Sequence, residues 1–299
     1  MPRIPLTFEQ VRQRVLSAIT DCQAMASDET RNDPAVIHDL RTTGKRLRAW
    51  GRLMRDVWGD ETWRTADHWV RDMCRLLAGS RDQHVQQQTL NQLAQVSQDR
   101  EKTKTMGSVA ILQERWATCD VQDDQQDNPQ PDWQRIADLL SFAYEHWLNH
   151  PMDDLTLKQQ QRHLAKRLEH TYAKARRLGK QVQADAPNSD AVLCHRFRKW
   201  VKHLLYQLEL LAEYNPENKK LNKLRSKLKT IADDLGDHHD LAELSDQIHE
   251  RTNELDDKAV KRVVKLMRQQ QSDLLTHAMK KFRQVFEEKS ETWVKGLSQ

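Results

Sequence analysis

The clearest chemical pattern in this chain is carried by cations. His38, Arg41, Lys45, Arg48, Arg52 and Arg55 follow one another at steps of three, four, three, four and three, the spacing that keeps side chains on one helix face. At a rise of 1.5 Å per residue such a row extends about 25 Å, far more than a small metabolite requires. A second segment repeats it: at a constant offset of 157 residues, His38 meets His195, Arg41 meets Arg198 and Lys45 meets Lys202. A third row, His163, Arg167, His170, Lys174 and Arg177, advances in steps of four, three, four and three. Like charges on one stripe repel by a few tenths to about 1 kcal/mol per exposed close pair. A long polyanion offsets that repulsion, because each neutralised phosphate releases condensed counterions and Arg adds bidentate geometry. The histidines fit the same chemistry: an imidazole beside phosphate has its charged form favoured relative to its free value near 6.5, so affinity should rise as pH falls.

Other chemistries have weaker footing. The segment DDLGDHHD at 233–240 carries His and Asp types that ligate divalent metals in phosphohydrolases. Its counterpart in the first half, LAGSRD from Leu77, has no histidine at those positions, so a structural corner is the better reading and no metal, cofactor or catalytic residue is expected. Nucleic acid is the stronger rival, since rows of Arg and Lys answer to any phosphate chain. Single-strand binders usually add aromatic platforms. Here Trp50 and Trp200 lie off the three-four rows, and the nine tryptophans, spread over the whole chain, read as core and helix-packing residues. A dense polymer without bases therefore fits better than nucleic acid. The third alternative is a helical scaffold whose charge only keeps it in solution; the apolar stripe from Val260 to Val285 in the last long helix reads as internal core.

The elements that must position these rows are helices. The 299 residues include only eight Gly and eight Pro, and period-two runs of β-branched and aromatic residues are missing, which predicts an all-α chain. Apolar periodicity places helices at 8–26, 34–58, 60–78, 80–98, 107–118, 132–149, 156–184, 189–214, 217–235, 237–252 and 256–290. Asp33 before Pro34 starts one of them, Asn188 or Ser189 caps another, and NPEN breaks the chain before 217. Gly44 and Gly51 sit on an apolar stripe, where close approach of a neighbouring helix would explain them. The net charge of +4 averages sorted segments: residues 157–180 hold eight Lys and Arg against Glu169, whereas 119–132 hold five Asp and no base. The acidic stretch 119–131 reads as a linker between a first helical half, 8–118, and a second, 132–290. The apolar stripe Ile37, Leu40, Gly44, Leu47 and Met54 falls opposite Cys194, Phe197, Val201, Leu204 and Leu211 at the same offset, so the two halves repeat one design. Four cysteines lie far apart with no CxxC pair, which fits reduced thiols in cytoplasm rather than a zinc module or a disulfide framework. No stretch of about 18 apolar residues exists to span a bilayer. No signal points to an oligomeric state.

Together, HDLRTTGKRLR from His38, SRDQHV from Ser80, HRFRKWVKHLLYQLELL from His195 and LGDHHDL from Leu235 closely resemble the CHAD domain, the conserved histidine α-helical domain. The resemblance spans both halves, 8–290, in the expected order. It implies one helical domain of two four-helix-bundle-like halves related by a pseudo-twofold axis, a central basic groove, and binding of inorganic polyphosphate, often at polyphosphate granules, by a module that is not a catalyst. Carried over residue by residue, the first motif's cations fall on His38, Arg41, Lys45, Arg46 and Arg48, with Arg52 continuing the row. The second motif's fall on His195, Arg198, Lys199, Lys202 and His203, followed by the aromatic Tyr206. Arg81 and Asp82 match an RD element, with His239 and Asp240 as its altered counterpart. Asp82 and Asp240 are expected to orient cations. Leu205 stands where the family has a cation, and His203 where a second base is common, so the second half should grip less strongly. Many family members carry an N-terminal triphosphate tunnel domain; no such segment is read before residue 34.

Overall fold

The computed structural model describes residues 3–99, 105–114, 130–152, 154–186, 190–250 and 257–297, apart from the side chains of 79–85, 99 and 257. All regular structure among these residues is helical. In chain order the helices are α1 (Phe8–Ser27), a 3₁₀ turn (Glu29–Asn32), α2 (Pro34–Gly51), α3 (Arg55–Trp58), α4 (Asp60–Leu76), α5 (Gly79–Asp99), α6 (105–114), α7 (Trp133–Asn149), α8 (Leu157–Asp185), α9 (Ala191–Glu213), α10 (Lys219–Glu250), α11 (Asp257–Val285) and α12 (Ser290–Lys295). Residues 119–129 of the acidic linker, and Asn188 and Ser189, lie outside the described residues.

Local chemistry explains most boundaries. α1 and α8 both open with a capping box, Thr7 with Gln10 and Thr156 with Gln159, which satisfies backbone donors that the first turn leaves free. Asp33 precedes Pro34, as expected, while α9 starts on Asp190, whose carboxylate accepts from the Val192 amide. The Asn218 side chain accepts from the Leu221 amide at the start of α10. α11 stops at Val285 because α8 takes up the chain beyond it: the Tyr172 hydroxyl reaches the carbonyls of Val285 and Glu288, and Arg176 donates to those of Phe286 and Glu287.

Two expectations differ from the structure. The segment 34–58 is not one helix: α2 ends at Gly51, a turn buries Leu53 and Met54, and α3 restarts at Arg55. Conversely, where two helices are expected over 217–235 and 237–252, Lys219–Glu250 is a single helix of 32 residues. α10 continues through Gly236 because it serves two cores at once. Leu221, Leu228, Ile231 and Leu235 pack into the main core with α1, α2, α4, α7, α8 and α9. Leu241, Leu244 and Ile248 pack into a second core with Leu90, Leu93, Val109 and Leu112 and with Val260, Val263 and Met267. The stripe from Val260 is thus internal, and α5 and α6 of the first half share a core with α10 and α11 of the second. No helix among the described residues is long and apolar enough to cross a membrane.

Candidate functional site

α2 and α9 carry the first two cationic rows, and they pack directly against each other. Their contact is reciprocal: Trp50 Nε1 donates to the Tyr206 carbonyl at 2.9 Å, and Gln207 Nε2 donates to the Ala49 carbonyl at 2.8 Å. At the offset of 157, Trp50 corresponds to Gln207 and Ala49 to Tyr206, so each hydrogen bond is the exchange partner of the other, the relation an isologous contact produces. α4 closes on the far side of α2. A Cβ on Gly44 would lie 2.6 Å from Cys74 Sγ and 2.8 Å from Met73 Cε, so glycine here permits the approach inferred from the stripe. Gly51 has only ordinary contacts, with Trp147 and Trp63.

At one end of this junction Arg41 and Lys45 of α2 and His195 and Arg198 of α9 line one cleft of about 520 Å³. Its opposite wall is α10, with His239, Asp240, Glu243, Asp246 and Glu250, so this end carries both signs of charge. Arg41 Nη1 donates to the carbonyls of Cys74 at 3.1 Å and Leu77 at 2.9 Å, where it closes the C-terminus of α4. Arg198 does its counterpart's work differently: α10 does not end here, and the guanidinium lies across Gly236, with Nη2 2.9 Å from where a Cβ would stand. His195 packs on the His239 ring at 4.4 Å, and His239 Nε2 pairs with Glu243 at 3.1 Å.

Further along α2 the cations meet α4, α8 and α9. Arg48 is held bidentately by Asp67 at 2.8 and 3.0 Å. Burial opposes the Arg48 charge, yet the hydrogen bonds and attraction of Asp67 outweigh it and raise its pKa. Lys199 lies near Arg48, Arg52, Asp67 and Arg71, and its pKa is lowered first by burial and then by the cations, against the attraction of Asp67. Arg52 is lowered to about 10, mainly by burial, with Arg48, Arg55 and Arg167 adding repulsion against the attraction of Asp67. Its guanidinium is flanked by Trp63 at 5.1 Å and Trp200 at 5.2 Å. From α8, Arg167 pairs with Asp56 at 3.1 Å and donates to the Arg52 carbonyl. His170 sits edge-on to Trp200 at 6.2 Å, and Lys174 Nζ lies 5.8 Å from the same ring. The first and third rows therefore meet around Trp200 of α9, which the sequence alone reads as a packing residue. The available signal was its place next to Lys199 and within three residues of Lys202 and His203.

Not every candidate joins this surface. Arg46 pairs with Glu209 at 3.6 Å and lies over the Tyr206 ring, and Tyr206 itself is 6% exposed. His203 is 5% exposed, and neither ring nitrogen has a hydrogen-bond partner. Burial, with Arg52, Arg48 and Lys199 adding to it, keeps it uncharged, its pKa well below the ordinary value. It is a core residue beneath the cations, not an exposed charge. His38 is exposed, with Thr42 Oγ1 3.4 Å from its Nε2. His163 packs edge-on to Phe8 and opens on a separate cleft with Arg162, Lys166, Glu169 and Lys295. Arg177 is exposed on α8 and Lys202 half-buried on α9. The side chains of Arg81 and Asp82 lie outside the described residues. Asp240 lines the cleft of Arg41 and Arg198. His238 is buried, and among the described residues no group of three or more His, Cys, Asp or Glu is arranged to hold a metal ion.

The histidines give a signed expectation. The pKa values of His195, His203 and His238 are all lowered, burial being the first cause in each. The unfolded chain therefore binds more protons than the folded one below the ordinary value near 6.5, and stability increases with pH through that window. The thermal midpoint should hold between pH 8 and 7 and fall as pH drops below about 6.5. Polyanion contact at His195 or His170 favours the imidazolium, so protection by polyphosphate should be greater at pH 6 than at pH 8. Equal thermal shifts at both pH values would remove the histidines from the site.

The CHAD domain family matches this sequence over residues 14–249. No curated protein matches the chain. Among solved structures, PptA from Streptomyces chartreusis superposes with a TM-score of 0.60 at 14% identity, over 96% of this chain and 100% of that one. That likeness concerns the fold alone. The match over residues 14–249, on an all-helical chain with basic helix faces packed against each other, places this protein in the CHAD domain family.

Proposed function

We propose that this protein is a binding module for inorganic polyphosphate, which it grips along the surface where α2, α8 and α9 meet. The observation that carries the reading is the concentration at that junction of cations that make no ion pair among the described residues, Asp67 acting on Arg52 and Lys199 only as a neighbouring charge. Arg52, Lys174 and Lys199 are of this kind, whereas Arg46, Arg48 and Arg167 each form an ion pair. Charges held together against mutual repulsion and partial desolvation gain most from an arriving polyanion. The approximate twofold relation of α2 and α9 supports a groove lined from both sides, and the reciprocal hydrogen bonds of Trp50 and Gln207 are its strongest support. Family resemblance supports the choice of polyphosphate and extends the reading to attachment at polyphosphate granules. Nucleic acid fits less well, because Arg52 and Lys174 already occupy the ring of Trp200 that a base would need.

Calorimetric titration with polyphosphates of defined length, at low and raised salt, tests the reading. Binding should tighten with chain length until the groove is filled and weaken steeply with salt. In competition, long-chain polyphosphate should displace a labelled oligonucleotide at far lower phosphate concentration than the reverse. The opposite order would transfer the site to nucleic acid, and no binding of either would end the proposal.

A further inference from the structure

Two tryptophans are placed among the cations in a way that charge rows alone do not explain. Arg55 lies 4.8 Å from the Trp63 ring, Arg52 5.1 Å from Trp63 and 5.2 Å from Trp200, and Lys174 5.8 Å from Trp200. Cation and aromatic ring alternate along this series, which draws on α2, α3, α4, α8 and α9. Arg55 is also tied to Asp60 at 2.7 Å, but Arg52 and Lys174 make no ion pair among the described residues. Arg52 is attracted by Asp67, whose two oxygens are taken by Arg48, and repelled by Arg48, Arg55 and Arg167, and its Nε is buried without a hydrogen-bond partner. A long cationic side chain in that position gains by swinging into water unless something holds it. The ring quadrupoles supply the attraction without neutralising the charge. A carboxylate would hold Arg52 as firmly, but would also compete with any phosphate.

Resting on the polyphosphate reading, we propose that Trp63 and Trp200 are positioning residues of the binding site, which hold Arg52 and Lys174 in place and unneutralised so that both charges meet the phosphate chain together. The rings do not touch the ligand in this arrangement. Their contribution is that two ion contacts form on binding without first ordering two flexible side chains, the cost that preorganisation removes.

The test separates this role from ordinary packing. The slope of log affinity against log salt counts the phosphates neutralised, at about 0.7 per contact for a single-stranded polyanion. Trp200→Leu changes no charge in the chain, yet its slope should be shallower than that of the wild type by about 1.4, the value for two lost contacts. Affinity at low salt should fall roughly tenfold or more, and Trp200→Phe, which keeps a π face, should restore most of both. Trp200→Leu in an Arg52→Gln, Lys174→Gln background should leave the slope where those two changes put it. In the wild type, which removes any question of folding, the Arg52 Nε–H resonance should shift on titration with tripolyphosphate. A folded Trp200→Leu variant with an unchanged slope, or an Arg52 resonance unmoved at saturation, overturns the inference while leaving the polyphosphate reading intact. Wild-type protein that fails to bind polyphosphate overturns both.

Discussion

Reversing Lys45 and Lys199 together, as Lys45→Glu with Lys199→Glu, should lower affinity for long-chain polyphosphate by on the order of 100-fold or more at low salt. Lys45 lines the cleft shared by α2 and α9, and Lys199 lies beside Arg48 and Arg52. A glutamate at 199 also draws those two arginines to itself, so its effect exceeds the loss of one contact. The matching control, Lys229→Glu with Lys289→Glu, alters two exposed cations away from the rows and should change affinity by less than about threefold. Stability should move the other way. Burial and three neighbouring cations disfavour the Lys199 charge in the folded protein, so its reversal relieves strain, and the thermal midpoint should hold or rise. Tight binding and a higher midpoint are thus opposed at this position, as expected where a fold tolerates repulsion for a ligand. Isothermal titration and thermal denaturation on the same samples read both effects; equal losses in the paired variants would reduce the site to diffuse surface charge.

The second large effect is on folding. Trp50 is 1% exposed and joins α2 to α9 through its hydrogen bond to the Tyr206 carbonyl. Trp50→Ala should cost about 3–5 kcal/mol, as deletion of a large buried aromatic does. Trp50→Phe keeps much of the packing but loses the indole hydrogen bond to a carbonyl that the α9 backbone also engages, a loss of about 0.5–1.5 kcal/mol. Gln207→Leu removes the exchange-related hydrogen bond to Ala49 and should cost a similar amount. Because both bonds clamp the same pair of helices, the double variant Trp50→Phe, Gln207→Leu should depart from additivity by about 0.5 kcal/mol or more in urea denaturation. Additive losses would mean that the two contacts act separately and that the junction has no shared clamp.

Much of the helical architecture was legible in the sequence because it is written at short range. Steps of three and four place Arg41, Lys45, Arg48 and Arg52 on one face, and the parallel stripe of Ile37, Leu40, Gly44 and Leu47 on another, whatever the rest of the chain does. Caps and breakers act within a few residues, so the start of α2 at Pro34 and the break at NPEN could be read directly. Where a long-range contact competes with the local signal, the reading diverged. Gly236 looks like a helix end, yet α10 runs on because its two ends serve different cores and Arg198 fills the space beside the glycine.

Which cations remain available is a property of the tertiary structure alone. Asp67 holds Arg48 from another helix, Glu209 holds Arg46 across the α2–α9 contact, and Asp56 holds Arg167 across 111 residues of sequence. Nothing in the spacing of a row names the carboxylate that will face it. The same holds for His203, which continues the basic motif in sequence but points into the core, and for Trp200, which lies off every row yet stands where two of them meet. Periodicity determined that this chain would present lines of positive charge, because the face of a helix depends only on positions a few residues apart. The packing of α2, α4, α8 and α9 decided which of those charges are cancelled, which are buried and which are held open, because that depends on residues brought together from other helices, 19 positions away for Asp67 and Arg48 and 111 for Asp56 and Arg167.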